Sequence, residues 1–140
     1  MLEPQKLKHR KQHRRRGAFG GIATRGHRLA FGTIALKAIS GGELTARQLE
    51  AARRAMTHSV ARGGKIWVRV FPHNPVTRKA AEVPMGSGKG SVEYFATIIK
   101  RGTILFEMGG LPEEAAREAL RLASHKLPFK TRIITRALPS

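Results

Sequence analysis

The chain is 140 residues long, a length that suits one domain with a core of its own. It carries 27 Lys and Arg residues against 9 acidic residues, all of them Glu, so its formal net charge is +18. A charge of this size indicates a polyanionic partner, usually nucleic acid; a plain soluble basic protein and a membrane-surface protein are the alternatives. The lack of Cys excludes disulfides and thiolate metal sites, and no apolar run is long enough to predict a membrane span.

Residues 1–28 form a basic arm, in which glycines interrupt a run of cations. An arm of this composition cannot bury enough apolar surface to order itself alone, so we expect it to become ordered on a polyanion. No apolar stretch follows its cations, which argues against a secretory signal. The candidate RNA-binding residues in the arm are Lys6, Lys8, Arg10, Lys11, His13, Arg14, Arg15, Arg16, Arg25 and Arg28.

Three side chains of the arm admit more than one interpretation. His9 and His13 are four residues apart, a spacing that suits a metal ion on a helix. The surrounding cations repel a metal ion, so we expect RNA contact here and no metal site. Phe19 lies among glycines and is a candidate for stacking on a base or, equally, for anchoring the arm on the domain.

Short strands broken by Gly are predicted over residues 29–43, and a helix is predicted over residues 45–62. Thr45 and Gln48 match a capping box at the start of this helix, and apolar residues recur at helical spacing behind them. A second side of the helix is basic. We interpret that side as a phosphate contact, with a plain solvated face as the alternative; its candidate residues are Arg47, Arg54, His58 and Arg62.

The middle of the chain predicts strands around one long loop. Residues 65–71 carry alternating bulky side chains and indicate a strand. Residues 72–91 are rich in Pro, Gly and Lys and indicate a loop, which at this length is usually functional or disordered. Residues 92–100 and 103–108 alternate apolar side chains on either side of a Lys-Arg-Gly turn, which predicts a hairpin.

A second helix is predicted over residues 112–126, because Pro at its first position and two Glu in its first turn suit a helix start. Residues 130–137 alternate as a last strand. We therefore expect an α+β protein, in which residues 29–140 form one globular domain behind the arm of residues 1–28. Its two helices would pack on one face of a largely antiparallel sheet.

A Gly-Lys segment inside the long loop is the most unusual stretch of the sequence. Glycines let backbone N–H groups approach a phosphate closely, and a Lys adds a point charge. The segment does not match a nucleotide-binding P-loop, because Gly follows the Lys and position 83 is not Gly. A surface turn without function is the alternative to phosphate contact for these residues: Met85, Gly86, Ser87, Gly88, Lys89 and Gly90.

Motifs spread over nearly the whole chain resemble the bacterial-type large-subunit ribosomal protein L-sixteen family. Each motif is short, but their order and spacing together are highly specific. They are Met1-Leu2-Glu3-Pro4, Lys8-His9-Arg10-Lys11-Gln12-His13-Arg14, Phe31-Gly32, Leu36-Lys37-Ala38, the helical stretch 44–56, Gly64-Lys65-Ile66-Trp67-Val68-Arg69-Val70-Phe71-Pro72, the loop 85–90 and Leu127-Pro128-Phe129-Lys130-Thr131.

The resemblance implies an α+β sandwich bound to large-subunit ribosomal RNA, with the arm and the Gly-Lys loop close to tRNA in the aminoacyl and peptidyl sites. It also implies contact between six arm cations and the RNA backbone. Two positions depart from the family pattern, since Pro84 stands where many relatives carry Arg and Ser87 where Lys is frequent. The six arm cations are Lys6, Lys8, Arg10, Lys11, Arg14 and Arg16.

These observations predict a structural protein of the large ribosomal subunit, without catalytic activity, cofactor or metal. We expect large-subunit rRNA, tRNA and neighbouring ribosomal proteins as its partners, no membrane, and a cytoplasmic ribosome of bacterial type, with an organellar ribosome as the open alternative. Two rival functions remain. One is a free-standing nucleic-acid binding module, and the other is a phosphate-handling enzyme that uses residues 86–90.

Overall fold

The computed structural model describes residues 2–5, 20–60, 63–78, 89 and 91–136. Seven strands and two helices lie within these residues. In chain order they are β1 (Ile34–Ala38), β2 (Gly42–Thr45), α1 (Ala46–Val60), β3 (Lys65–Val68), β4 (Asn74–Arg78), β5 (Ser91–Ile99), β6 (Ile104–Gly109), α2 (Glu113–Ser124) and β7 (Thr131–Thr135).

The α+β class is confirmed, but the strands form two sheets where the sequence predicted one. The first sheet has the order β3-β6-β1-β7 and the second the order β2-β5-β4, and all their pairings are antiparallel. The division arises because β1 and β2 are consecutive in the chain yet pair with different partners. The chain leaves the first sheet after Ala38 and enters the second at Gly42.

The predicted hairpin of residues 92–100 and 103–108 is wrong. Both segments are strands, but β5 pairs with β2 and β4, whereas β6 pairs with β1 and β3, so neither has a free edge for the other. The turn between them is bound to the end of β1 instead. The N–H of Gly102 donates to the carbonyl of Ala38 (2.7 Å), and the N–H of Ala38 donates to the carbonyl of Thr103 (2.9 Å). These bonds hold the turn at the point where the chain passes from the second sheet to the first.

The predicted loop of residues 72–91 begins with a strand that the sequence did not reveal. Asn74–Arg78 forms β4, an edge strand paired with β5. Pro75 lies within this strand, and an edge strand tolerates Pro because one side of its backbone needs no partner. Pro72 and Pro75 favour a loop over a strand, which is why the sequence pattern predicts no strand here. Residues 79–88 and 90 of this loop lie outside the described residues.

Helix α1 begins as its sequence predicts. The N–H of Thr45 donates to Oε1 of Gln48 (3.0 Å), and the N–H of Gln48 donates to Oγ1 of Thr45 (3.2 Å), which confirms the capping box. Its apolar stripe is buried, as is that of α2. The two helices pack against each other, and α2 also contacts β1 and β7. The buried helix residues are Ala46, Leu49, Ala52, Met56, Ala116, Ala119, Leu120 and Ala123.

The four-stranded sheet is covered on both faces. The face that carries Leu36 and Phe106 packs into the core with the helices. Successive strand residues point to opposite faces, so Ala35 and Glu107, which pair across β1 and β6 and are fully buried, belong to the other face. The segment of residues 20–33, which includes the last part of the predicted arm, is hydrogen-bonded to β6 and to Glu107 on that face.

Candidate nucleic-acid interface

Most of the predicted arm and loop contacts lie outside the described residues. His9 and Phe19 lie outside them as well. The candidates concerned are Lys6, Lys8, Arg10, Lys11, His13, Arg14, Arg15, Arg16, Arg62, Met85, Gly86, Ser87, Gly88 and Gly90.

The other predicted cations lie at the surface. Arg25 and Arg28 belong to the segment of residues 20–33, Arg47 and Arg54 belong to α1, and Lys89 is the described residue of the Gly-Lys loop; all five are exposed. Exposure leaves each of these side chains accessible to a partner.

The segment that carries Arg25 and Arg28 is tied to the first sheet by backbone hydrogen bonds. The N–H of Ala23 donates to the carbonyl of Arg101 (2.8 Å), and the N–H of Ile104 donates to the carbonyl of Gly26 (2.8 Å). Residues 20–28 of the predicted arm therefore lie against the globular body, and they hold their arginines at a defined position on its surface.

Helix α1 presents a cationic stripe toward α2. Arg54 and His58 line an open groove between the two helices, and His125 and Lys126, which directly follow α2, line it as well. The sequence indicated the basic side of α1, but His125 and Lys126 join it only because the helices pack against each other. The remaining lining residues are Ala51, Ala55, Ser59 and Leu122.

One acid moderates the charge of α1. Glu50 forms ion pairs with Arg53 (2.5 Å) and Arg54 (3.2 Å). The hydrogen bond from Arg53 lowers the pKa of Glu50 from 4.5 to about 2; partial burial opposes this shift, and Arg54 adds to it. Glu50 is therefore ionised at neutral pH and balances one of the two arginines. The side chain of Arg54 remains 70% exposed, so it is still available to a phosphate.

A second cluster of polar groups surrounds Glu107, an acid with no evident partner in the sequence pattern. Three successive backbone N–H groups, of Ala30, Phe31 and Gly32, donate to its Oε1 at 3.0 Å each. Arg69 donates to its Oε2 and also to the carbonyl of Arg28 (3.1 Å). Burial raises the pKa of Glu107, but the N–H of Gly32, the guanidinium of Arg69 and the other two N–H groups together hold it below its usual value. Glu107 is thus a buried carboxylate that attaches the 30–32 segment to the sheet.

An aromatic pair adjoins this cluster, because Arg69 contacts both Glu107 and the Phe31 ring. The rings of Phe31 and Trp67 are stacked, with centroids 6.0 Å apart and an interplanar angle of 19°. The guanidinium carbon of Arg69 lies 5.4 Å from the centroid of the Phe31 ring. The alternation of bulky side chains over residues 65–71 predicts the strand that carries Trp67. That Phe31 would lie over Trp67 depends on a pairing between distant parts of the chain, which the sequence pattern does not show.

The described part of the chain contains neither a candidate metal-binding site nor a membrane-spanning helix. Among those residues, no group of three or more His, Asp or Glu side chains is placed to hold a metal ion. Within the same ranges, no helix is long and apolar enough to cross a membrane.

Comparison with known proteins decides the family. A profile of the family described as "Ribosomal protein L16p/L10e" matches residues 4–134. The chain belongs to this ribosomal protein family. It is also similar to the large ribosomal subunit protein uL16 of Trichodesmium erythraeum (strain IMS101), with 57% identity over 136 residues, which cover 97% of this chain and 98% of that protein. The resemblance found in the sequence motifs is confirmed, and neither match names a catalytic activity.

Proposed function

We propose that this member of the L16p/L10e family is a structural component of the large ribosomal subunit, which binds large-subunit rRNA and contacts tRNA near the aminoacyl and peptidyl sites. The observation that carries the proposal is the 57% identity, over nearly the full length of both chains, to a large ribosomal subunit protein. Neighbouring ribosomal proteins are further partners, and the ribosome concerned is a cytoplasmic one of bacterial type.

The mechanism is electrostatic and positional. Cations that neutralise phosphates release condensed counterions, so rRNA affinity depends strongly on salt. Phosphate contacts fix register and orientation and do not read base sequence. Arg25 and Arg28 on the segment bound to the sheet, and Arg47 and Arg54 on a capped helix, are held by rigid elements and would position the RNA. The arm cations from Lys6 to Arg16 would extend the same contact.

The tRNA contact is assigned to the Gly-Lys loop of residues 85–90. Lys89 is exposed, and its ammonium is the charge that this loop offers to a phosphate. Glycines on both sides of it permit close approach of the backbone. Pro84 and Ser87 remove two cations that many relatives carry, so Lys89 has a larger share of the loop's charge in this chain.

The first test is sedimentation of a lysate from the source cells, probed for this chain at moderate and then high salt. We expect the chain in the large-subunit and intact-ribosome fractions, also after the salt wash. If the chain stayed at the top of the gradient, the proposal would be wrong and a free-standing nucleic-acid binding module would take its place.

The second test addresses the cations of α1. Arg47→Ala combined with Arg54→Ala should weaken binding to large subunits that lack this protein. It should also lower the salt slope of log K by about 0.7 to 0.9 for each phosphate that is no longer neutralised. The control variant is Arg121→Ala on α2, whose guanidinium is paired with Glu118 (2.6 Å). An unchanged slope in the double variant would remove α1 from the interface.

A further inference from the structure

Phe31 is an exposed aromatic side chain that packs against two residues of the sheet. It keeps 60% of its surface exposed, although Trp67 and Arg69 both lie against it. Trp67 and Arg69 are two residues apart on an extended segment, so their side chains point to the same side of the backbone. Both therefore reach Phe31 from the sheet. More than half of the surface of Phe31 nevertheless remains accessible to a partner.

The backbone around Phe31 is held in place from both directions. Its own N–H and those of its two neighbours bind the buried carboxylate of Glu107. Arg136 donates from Nη2 to the carbonyl of Gly32 (3.1 Å), and the N–H of Thr33 donates to the carbonyl of Met108 (3.0 Å). A side chain fixed in this way loses little conformational entropy when a partner covers it.

The surroundings of the Phe31 ring are cationic. Arg28, three residues before it, and Arg136 are exposed. The acid of this cluster is Glu107, which is fully buried and bound to Arg69. Exposed arginines near an exposed aromatic ring suit a partner in which flat rings alternate with phosphates. An apolar protein surface would instead leave these arginines without counter-charges.

We propose that Phe31 is a stacking platform for one unpaired nucleobase of ribosomal RNA, with Trp67 and Arg69 as positioning residues beneath it. This inference rests on the proposed function and adds a named contact to it. Base pairs inside a double helix hide their faces, so the platform accepts a base from a loop, a bulge or a strand end. Stacking on an aromatic ring is tolerant of base identity. The platform therefore adds affinity and position without selecting one nucleotide.

The test measures binding of the labelled full-length chain to large subunits that lack it, at several salt concentrations. Phe31→Leu keeps apolar bulk but removes the flat ring, and we expect it to weaken binding roughly 5- to 100-fold. The salt slope should stay as in the wild type, because every phosphate remains neutralised. Phe31→Tyr, which keeps the ring, should bind as the wild type does.

The matched control is Phe71→Ala, an aromatic residue with 42% exposure. It should leave the affinity within about twofold of the wild type. Thermal unfolding of each free variant checks that the fold is intact. Trp67 is the sole tryptophan of the chain, so its fluorescence reports whether the layer under residue 31 has changed.

One result would overturn the platform: wild-type affinity of Phe31→Leu would show that the ring does not stack on a base. In that case, weak binding of Phe31→Ala would assign the position to an apolar protein contact. These results would leave the proposed function unaffected. The proposed function would be contradicted only if the wild-type chain itself did not bind the subunits.

Discussion

Two glutamates, Glu50 on α1 and Glu107 on β6, bind arginines in opposite ways. Glu50 pairs with Arg53 and Arg54, three and four residues away on the same helix. Glu107 pairs with Arg69, 38 residues away, and with three backbone N–H groups more than 70 residues away. The first arrangement adjusts the charge of a surface, whereas the second joins distant parts of the chain.

Because Glu107 is fully buried and the partners of Glu50 are at least partly exposed, the two glutamates contribute differently to the free energy of unfolding. An ion pair with an exposed partner gains little, because water and salt screen it. A fully buried carboxylate has lost its hydration, so removing its charge or its partners leaves polar groups without compensation. Glu50 therefore tunes the cationic stripe of α1, and Glu107 stabilises the position of Phe31.

The largest effect should follow from Glu107→Gln. The amide still accepts hydrogen bonds from N–H groups, but Arg69 loses its buried counter-charge, so we expect the free energy of unfolding to fall by about 3–5 kcal/mol. Denaturant unfolding at pH 7 measures the change. A loss as small as that expected for Glu50→Gln would mean that water reaches the site, and the contrast between the two glutamates would disappear.

Gly32→Ala should have an intermediate effect. A Cβ atom at this position would overlap the carbonyl oxygen of Met108 and lie 2.9 Å from its carbonyl carbon, so the 30–32 segment must move away from β6. We expect a loss of about 1–3 kcal/mol in unfolding free energy, together with a changed Trp67 emission. The control is Gly20→Ala, where nothing lies within 4 Å of the added atom. Equal stability of both variants would contradict the close approach.

The smallest effect should follow from Glu50→Gln, with a loss below about 1 kcal/mol at pH 7. This is less than the pKa shift of Glu50 alone would give, because water and salt screen its pairs with the partly exposed Arg53 and the exposed Arg54. The folded pKa of Glu50 lies at about 2, below its ordinary value of 4.5. Its contribution is thus fully present above pH 4.5 and is lost as the pH falls toward 2. The variant should show a flatter dependence of stability on pH in this window. A wild-type pH dependence would show that the pairs with Arg53 and Arg54 do not form in solution.

Local structural features, such as helix caps and apolar helix faces, were predictable because the residues that form them are close together in sequence. The capping box of Thr45 and Gln48 and the apolar stripes of both helices match the structure, since helical spacing alone decides which side chains share a face. The basic side of α1 was visible for the same reason. The proposed contacts of the arm and the Gly-Lys loop remain predictions.

The amino-acid sequence was sufficient for the α+β class, the two helices, most strands and the ribosomal family, because these depend on periodicity and on motifs in fixed order. The tertiary structure decided which strands pair. It separated β5 from β6, because a turn that looks like a hairpin is bound to Ala38, and it found β4 despite Pro75. It also brought Phe31, Trp67, Arg69 and Glu107 together. Their contacts span up to 76 residues of chain. No local sequence pattern predicts such contacts, because they depend on how the strands pair and how the segment of residues 20–33 packs on them.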